Sequence, residues 1–246
     1  MEGNPASGSS AYYLSIIIPV YNEEGLLATA ITDLVSRLNE IPLVWEILIT
    51  ENGSRDRTLE IANGLAAKFR NIRVLHTDEP NYGRALRRGI EECSGAICIC
   101  DEIDICDVDF YRTAIDLLSN GRAEMVVGSK RHPKAQDKRP ALRRFATRVM
   151  NLLLRIAVGF KGTDTHGLKA FLREPVMPVV KACIVEKDLF ASELVIRAER
   201  MGVKIEEVPI SIMEKRPPSI NLFKRVPNVL RNLWRLFVII RLGRKA

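Results

Sequence analysis

Carboxylates at short spacing carry the first chemistry legible in this chain. Glu102 and Asp104 stand two apart in CDEIDIC, just past an apolar run, so both side chains can turn toward one hard cation. A Mg²⁺ or Mn²⁺ ion held by two carboxylates keeps open positions for diphosphate oxygens. Asp107 and Asp109 prolong the acidic run, so the stretch also reads as a solvated loop capping the next helix. Glu51 and Asp56 flank a Gly-Ser turn, which reads equally as a helix start with Ser54 as its cap. The opposite charge is concentrated further on. From Lys130 to Arg155 there are nine Lys/Arg and one acid, and from Glu214 onward there are again nine and one. Each segment is +8, so with +7 overall the remainder carries −9. An acidic body with two basic segments suits anionic partners at defined places, such as phosphates or an anionic lipid surface.

These side chains need a scaffold, and the apolar pattern supplies one. LSIIIPV, LVWEILIT, IRVLH and GAICIC read as buried strands, separated by helical stretches at Glu23–Asn39, with Asn22 as N-cap, at Asp56–Phe69 and at Gly83–Glu92. Strands alternating with helices imply βαβ units, a doubly wound, mainly parallel α/β sheet covered on both faces. In such a sheet ligands bind beyond the carboxyl ends of the strands. There the four polar stretches Tyr21-Asn22-Glu23-Glu24, Glu51-Asn52-Gly53-Ser54, Asn81-Tyr82-Gly83-Arg84 and Asp101-Glu102-Ile103-Asp104 converge. Neither GxGxxG after the first strand nor GxxxxGK[ST] is present, so the site is built from side chains and a bridging metal rather than a glycine phosphate cradle. The second half adds strands at AEMVVGS, HGLKAFL and VKIEEVPISIM, a basic amphipathic helix over Ala141–Val158 and another helix over Ala191–Arg200.

Composition excludes several classes. With 47% hydrophobic residues in 246 the chain can bury a sizeable core, and no apolar run approaches the ~20 residues of a membrane span. Five cysteines without a CxxC pair read as buried thiols in a reducing, cytosolic setting. Residues 1–12 read as a polar disordered segment without a secretory signal. No nucleic-acid-binding motif or aromatic platform accompanies the basic charge. Two prolines, Pro217 and Pro218, close the domain. Beyond them Leu222, Val226, Val229, Leu230, Leu233, Trp234, Phe237 and Ile240 recur at helical spacing opposite Lys224, Asn228, Arg231 and Arg235. Residues 217–246 thus read as a basic amphipathic helix lying on a membrane surface, or folded on the domain, or pairing with a second copy as a homodimer.

Together, SIIIPVYNEE, the acidic-Asn-Gly-Ser turn, NYGRALRRGIE and the acid-x-Asp element resemble family 2 glycosyltransferases of the GT-A fold. VVGSKR, RRFATRVMN, GTDTHGLKAF and FASELVIRAERMGVKIEEVPI resemble, within that family, the polyprenyl (dolichyl) phosphate mannosyl- and glucosyltransferase branch. The match spans residues 13–216, the expected catalytic domain. It implies that Pro19, Tyr21 and Glu23 contact the nucleotide, that Glu51 stands where an Asp usually reads the base, and that Glu102 and Asp104 hold the metal. Arg216 matches a basic residue closing over the diphosphate. Arg131, Arg143, Arg144 and Arg148 become candidates for the acceptor phosphate, and Lys169 for the basic position of the D-x-T-S-G-F-R segment.

The implied activity is inverting transfer of a hexose from GDP-mannose or UDP-glucose to a polyprenyl phosphate, peripheral on the cytoplasmic face. A phosphate acceptor is already an anion at neutral pH and needs no general base. A hydroxyl acceptor on a glycan or small molecule would need one, with Glu193 or Asp164 first to test. The pattern is broken in four places. Glu102 replaces an Asp, Cys106 stands near a usual polar ligand, His166 replaces a Ser, and the terminal G-x-S-K-L reads Pro218-Ser219-Ile220-Asn221-Leu222. A non-catalytic subunit retaining the nucleotide pocket is the reading those departures would favour.

Overall fold

The computed structural model describes residues 13–132, 135–137, 141–165, 167–212, 231 and 233–241. The first half alternates as its pattern predicts: β1 (Leu14–Val20), α1 (Leu27–Leu38), β2 (Trp45–Asn52), α2 (Thr58–Lys68), β3 (Ile72–Thr77), α3 (Tyr82–Glu92) and β4 (Ile97–Cys100). There follow α4 (Val108–Ser119), β5 (Met125–Ser129), β6 (Gln136–Asp137), α5 (Ala141–Val158) and β7 (Lys169–Leu172). The described chain then runs through α6 (Arg173–Ala182), α7 (Phe190–Arg200), β8 (Ile205–Pro209) and β9 (Ser211–Ile212). A last helix, α8, covers residues 233–241.

Seven strands form one sheet in the order β3-β2-β1-β4-β7-β5-β8, and β6 pairs with β9 in a separate ribbon. The β1–β2, β2–β3, β1–β4 and β5–β8 pairs are parallel, whereas β7 runs antiparallel to β4 and β5. Strand β1 is buried throughout, as its unbroken apolar run requires. Its alternate side chains serve two cores. Ile16 and Ile18 join α1 and α4 on one face, while Ile17 packs with Leu86 and Ile90 of α3 on the other. Close approach of α3 depends on Gly89, where a Cβ would come within 2.4 Å of Ile17 and 2.8 Å of Thr50. Pro19 lies beyond the reach of β4, where β1 is flanked by β2 alone.

Several local expectations are corrected. The first helix begins at Leu27, and Asn22 is not its cap but a left-handed residue with φ of +54°. Helix α4 is the helix that the acidic run was expected to cap, whereas α6 is not expected from the sequence, because Pro178 inside it masks the helical pattern. The tail's apolar face is divided. Leu233, Leu236 and Ile239 enter the core with Leu154, Val158 and Phe160, and Trp234 remains 66% exposed. Arg200 ties α8 to α5 by donating to the carbonyls of Ile240 and Val158.

Candidate active site at the carboxyl edge of the sheet

The loops after β1 and β2 are laced together by backbone-to-side-chain hydrogen bonds. Asn22 N donates to Ser54 Oγ at 2.9 Å, and Arg55 N donates back to Asn22 Oδ1 at 2.9 Å. Glu23 N donates to Thr58 Oγ1 at 2.7 Å, Glu24 N to Asp56 Oδ2 at 3.2 Å, and Arg57 N to Glu24 Oε2 at 3.1 Å. Ser54 is thus spent on the neighbouring loop rather than capping α2, whose N-cap is Arg57, and Asp56 accepts from the first helical amide, Thr58 N, at 3.0 Å. Gly53 makes the turn possible. Its φ is +69°, and a Cβ there would meet Asp78 O at 2.7 Å. The nucleotide-side residues expected from the sequence sit on this platform, with Tyr21 exposed, Glu23 half-buried and Pro19 buried.

Glu51, which the resemblance places against the base, is tightly constrained. Its carboxylate is buried, with Oε1 accepting from Ser54 N at 2.6 Å and Oε2 in a short contact with His76 Nδ1. His76 Nε2 in turn meets Asp78 Oδ1 at 3.1 Å. Burial works against ionisation of Glu51, but the Ser54 and His76 hydrogen bonds outweigh it and hold the carboxyl below its usual range. The Glu51 hydrogen bond holds His76 above its own usual range, against a smaller effect of burial. His76 was not singled out in the sequence, although Ile72–Thr77 pairs with β2 and places it opposite Glu51 in register.

Beyond β4 the acidic turn divides its carboxylates by task. Asp101 is buried, accepts from Glu102 N at 2.6 Å and is in short contact with the Tyr111 hydroxyl, and burial pushes its carboxyl up to about 7. Asp107 caps α4 by accepting from Phe110 N at 3.0 Å. Both carboxylates are thus engaged inside the turn and at the start of α4. Glu102 is exposed to solvent, yet enough protein surrounds it that desolvation, ahead of the charges of Asp104 and Asp164, pushes its carboxyl up; Lys130 and Lys169 act in the opposite direction. Cys106 adopts φ of +48°, with its buried Sγ 3.6 Å from the Ile103 carbonyl.

Three further elements bring groups near the acidic turn. Tyr82, at the start of α3, is half-buried, and its hydroxyl is pushed well above its usual range by burial and then by the charges of Glu102, Cys100, Asp101 and Asp104. Its signal in the sequence was only its place in the third strand-end stretch. Asn81 anchors that helix start. Its Oδ1 accepts from Arg84 N at 3.0 Å and Lys187 N at 2.9 Å, its Nδ2 donates to Glu186, and its own N donates to Asn52 Oδ1 at 2.5 Å. From β7 comes Lys169, buried, its Nζ donating to Gly167 O at 2.7 Å. Burial lowers its affinity for a proton, whereas the charges of Cys100, Asp164 and Glu102 favour the ammonium. Lys130 N donates to Asp164 Oδ2 at 3.3 Å, and Arg131 N to Ser129 Oγ at 3.1 Å with the arginine side chain exposed.

The remaining candidates are placed less fully. Arg148 is exposed on α5, and Arg143 and Arg144 lie on the same helix with side chains outside the described set. His166 and Arg216 lie outside the described residues. Glu193 is fully engaged: Oε2 accepts from Ile184 N and Val185 N, and Oε1 from Arg197 Nε at 2.7 Å. It is a buried brace for α7, not a free base. All five cysteines are free and buried, with Cys93 and Cys98 in Sγ-to-Sγ contact at 3.1 Å.

Comparison with known proteins now adds a family. The glycosyl transferase family 2 model matches residues 15–177, a span from β1 into α6 that contains the acidic turn and the whole of the basic helix α5. The chain belongs to glycosyl transferase family 2. Glycosyltransferase AglD of Haloferax volcanii is 28% identical over 256 residues, covering 100% of this chain and 41% of that protein. Dolichyl-phosphate beta-glucosyltransferase ALG5A of Trichomonas vaginalis is 28% identical over 213 residues, covering 82% of this chain and 66% of that protein. The dolichyl-phosphate beta-glucosyltransferase of Dictyostelium discoideum is 25% identical, covering 91% of this chain and 73% of that protein. The chain thus spans well under half the length of AglD and about two thirds of ALG5A.

Among solved structures, glucosyl-3-phosphoglycerate synthase of Mycobacterium tuberculosis, crystallised with Mn²⁺, UDP and glucosyl-3-phosphoglycerate, superposes with a TM-score of 0.65 at 18% identity, covering 100% of this chain and 88% of that one. Mannosyl-3-phosphoglycerate synthase of Rubrobacter xylanophilus gives 0.63 at 15% identity, covering 96% of this chain and 76% of that one. The fold is the GT-A fold. Within this family 2 protein the acidic turn after β4 occupies the edge where β1 and β4 diverge toward different neighbours, the switch point of the sheet.

Proposed function

We propose that this protein is an inverting glucosyltransferase that moves glucose from UDP-glucose to a polyprenyl phosphate at a membrane surface on its cytoplasmic side. The observation that carries the reading is that Glu102 lies close enough to Asp104, Lys130 and Lys169, and Tyr82 close enough to Glu102 and Asp104, for their charges to act on one another at the sheet edge, carboxylates for a cation beside cations for an anion. Support for glucose and a lipid phosphate comes from the relatives named dolichyl-phosphate beta-glucosyltransferases, and support for a uridine donor from the fold neighbour holding UDP.

The donor set fits Mg²⁺ or Mn²⁺. Glu102 and Asp104 offer hard oxygen ligands, and the charge of Asp104 adds to the burial that pushes Glu102 up, a penalty a divalent ion would reverse. A cation held by two carboxylates keeps open positions that diphosphate oxygens would fill. When bound, such an ion supplies neutralisation of the departing diphosphate.

The chain's own residues do the rest. Tyr21, Glu23 and the braced Glu51 shape the nucleotide side, with Arg216 as the cation closing over the diphosphate. Lys169 is held in place by Gly167 O, and with Arg131 and the α5 arginines Arg143, Arg144 and Arg148 it offsets repulsion between the acceptor phosphate and the donor. In the reaction an acceptor phosphate oxygen bonds to the anomeric carbon as the bond from that carbon to the diphosphate oxygen breaks, and UDP leaves. No proton has to be removed from the acceptor, consistent with Glu193 being committed to Ile184, Val185 and Arg197.

The test is transfer of labelled glucose from UDP-glucose to a polyprenyl phosphate, read as label entering the organic phase, with GDP-mannose in parallel and with chelator added. The expected result is chelator-sensitive glucolipid formation. Label released only onto water or onto a glycan hydroxyl would overturn the acceptor, and no turnover of any donor would favour a binding subunit.

A further inference from the structure

Helix α5 is apolar on two sides. Its inner face buries Asn151, Leu154 and Val158. Its outer face carries Phe145 at 61%, Val149 at 38%, Leu152 at 56% and Ile156 at 71% exposure. At helical pitch these four fall within an arc of roughly 60° and form one stripe along most of the helix. Single exposed apolar side chains are ordinary on a protein surface, but a continuous aliphatic and aromatic stripe is not. The stripe is bordered by Arg148 and Arg155, both exposed and both on the same flank. It does not face α8, whose Leu233, Leu236 and Ile239 are spent in the core.

The inner face of α5 is coupled to the catalytic edge. Asn151 Nδ2 donates to the Thr163 carbonyl, Thr163 Oγ1 lies 2.6 Å from Ser129 Oγ, and the adjoining Asp164 accepts from Lys130 N. Whatever the outer stripe rests on is therefore set in a fixed relation to Lys130 and the acidic turn.

We infer that the outer face of α5 is the membrane-contact surface of this protein, with Phe145, Val149, Leu152 and Ile156 entering the acyl boundary of an anionic leaflet, Arg155 at the headgroup phosphates and Arg148 on the same flank left to the phosphate of the membrane-borne acceptor. An apolar stripe edged by arginines matches the two layers of such a leaflet, hydrocarbon beneath a negatively charged headgroup plane. Of the readings the sequence left open for the tail, the described residues 233–241 follow the one in which it folds on the domain, with Leu233, Leu236 and Ile239 in the core that Leu154 and Val158 of α5 share. This inference builds on the lipid-phosphate reading, because a surface of this kind brings the phosphate of a membrane-borne acceptor to the sheet edge that carries the acidic turn.

The experiment is co-sedimentation of the full chain with phosphatidylcholine vesicles, with and without phosphatidylglycerol, for the wild type, Leu152→Glu/Ile156→Glu, and Val44→Glu as a control at an exposed valine before β2. Wild type and Val44→Glu should partition onto the anionic vesicles, and Leu152→Glu/Ile156→Glu should lose roughly tenfold or more of that partitioning. Phe145→Trp gives a second reading in an otherwise native surface, since brominated acyl chains should quench the added tryptophan. Undiminished partitioning of Leu152→Glu/Ile156→Glu, or no quenching at Phe145→Trp, overturns the inference. So does a wild-type dimer that becomes monomeric in Leu152→Glu/Ile156→Glu, because the stripe would then be a subunit interface. Activity separates the two readings. If glucose is transferred to a short water-soluble isoprenyl phosphate equally by wild type and Leu152→Glu/Ile156→Glu while vesicle binding differs, both stand. If that acceptor is never used but vesicle binding is lost in the variant, the membrane surface stands and the proposed acceptor fails.

Discussion

Asp104 and Glu102 are unlike the other acids of their turn because their carboxylates are not committed to capping or to a buried hydroxyl. Asp101 and Asp107 are so committed, to Tyr111 and to the start of α4. Asp104→Asn should therefore lower glucosyl transfer by roughly 100-fold or more while the thermal midpoint holds or rises, since a repulsion acting on Glu102 is relieved. Near-wild-type turnover with an unchanged metal response would remove Asp104 from the site. A second residue-scale expectation concerns pH. His76 is held above its ordinary value of ~6.5, so its contribution to stability is complete below that value and is lost as pH rises through the raised one. Glu51 is held below its ordinary value, so its contribution is present above that value and is lost as pH falls through the depressed one. The difference in melting temperature between wild type and His76→Gln should accordingly be largest in mildly acidic to neutral solution and shrink as pH climbs above ~6.5. A difference that grows with pH would contradict the pairing.

At the scale of elements, the junction of α3 with the segment before α7 is the sharpest test. Asn81 caps α3 and also satisfies Lys187 N, and Gly83 lets that backbone approach so closely that a Cβ would stand 2.5 Å from Lys187 O. Asn81→Ala should cost about 2 kcal/mol in urea unfolding, the upper end for a cap, because a second backbone donor is orphaned with the first. The same substitution should weaken donor binding, since Tyr82 follows the cap directly. Motifs such as YNEE and ENGSRD were legible in the sequence as separate strand ends. Their mutual hydrogen bonds were not, because a lattice between residues about 32 apart leaves no periodic trace. Helix α6 was hidden for the opposite reason, a local signal, Pro178, that tertiary packing overrides.

For the whole molecule, α8 distinguishes a bracing tail from a detachable anchor. Leu236 is fully buried among α5 and α7 side chains, so Leu236→Ala should destabilise the protein by about 2–5 kcal/mol. Trp234→Ala, at an exposed position, should cost under about 1 kcal/mol. Equal, small effects on chemical unfolding would mean that the tail is held loosely and free to serve a membrane directly.

Sequence alone determined the doubly wound sheet, the polar strand ends at one edge of it, the family, and the acid pair after the fourth strand, because each is written in local periodicity or in short spacing. Only the tertiary structure decided which acids remain uncommitted, that Glu51 is braced by His76, that Glu193 is a structural brace, and that β7 delivers Lys169 antiparallel between β4 and β5. It also reassigned the apolar faces of two basic helices. A hydrophobic stripe read from sequence states that something will cover it, but burial is a property of neighbours distant in the chain, and here they cover Leu236 of α8 and leave Ile156 of α5 outside.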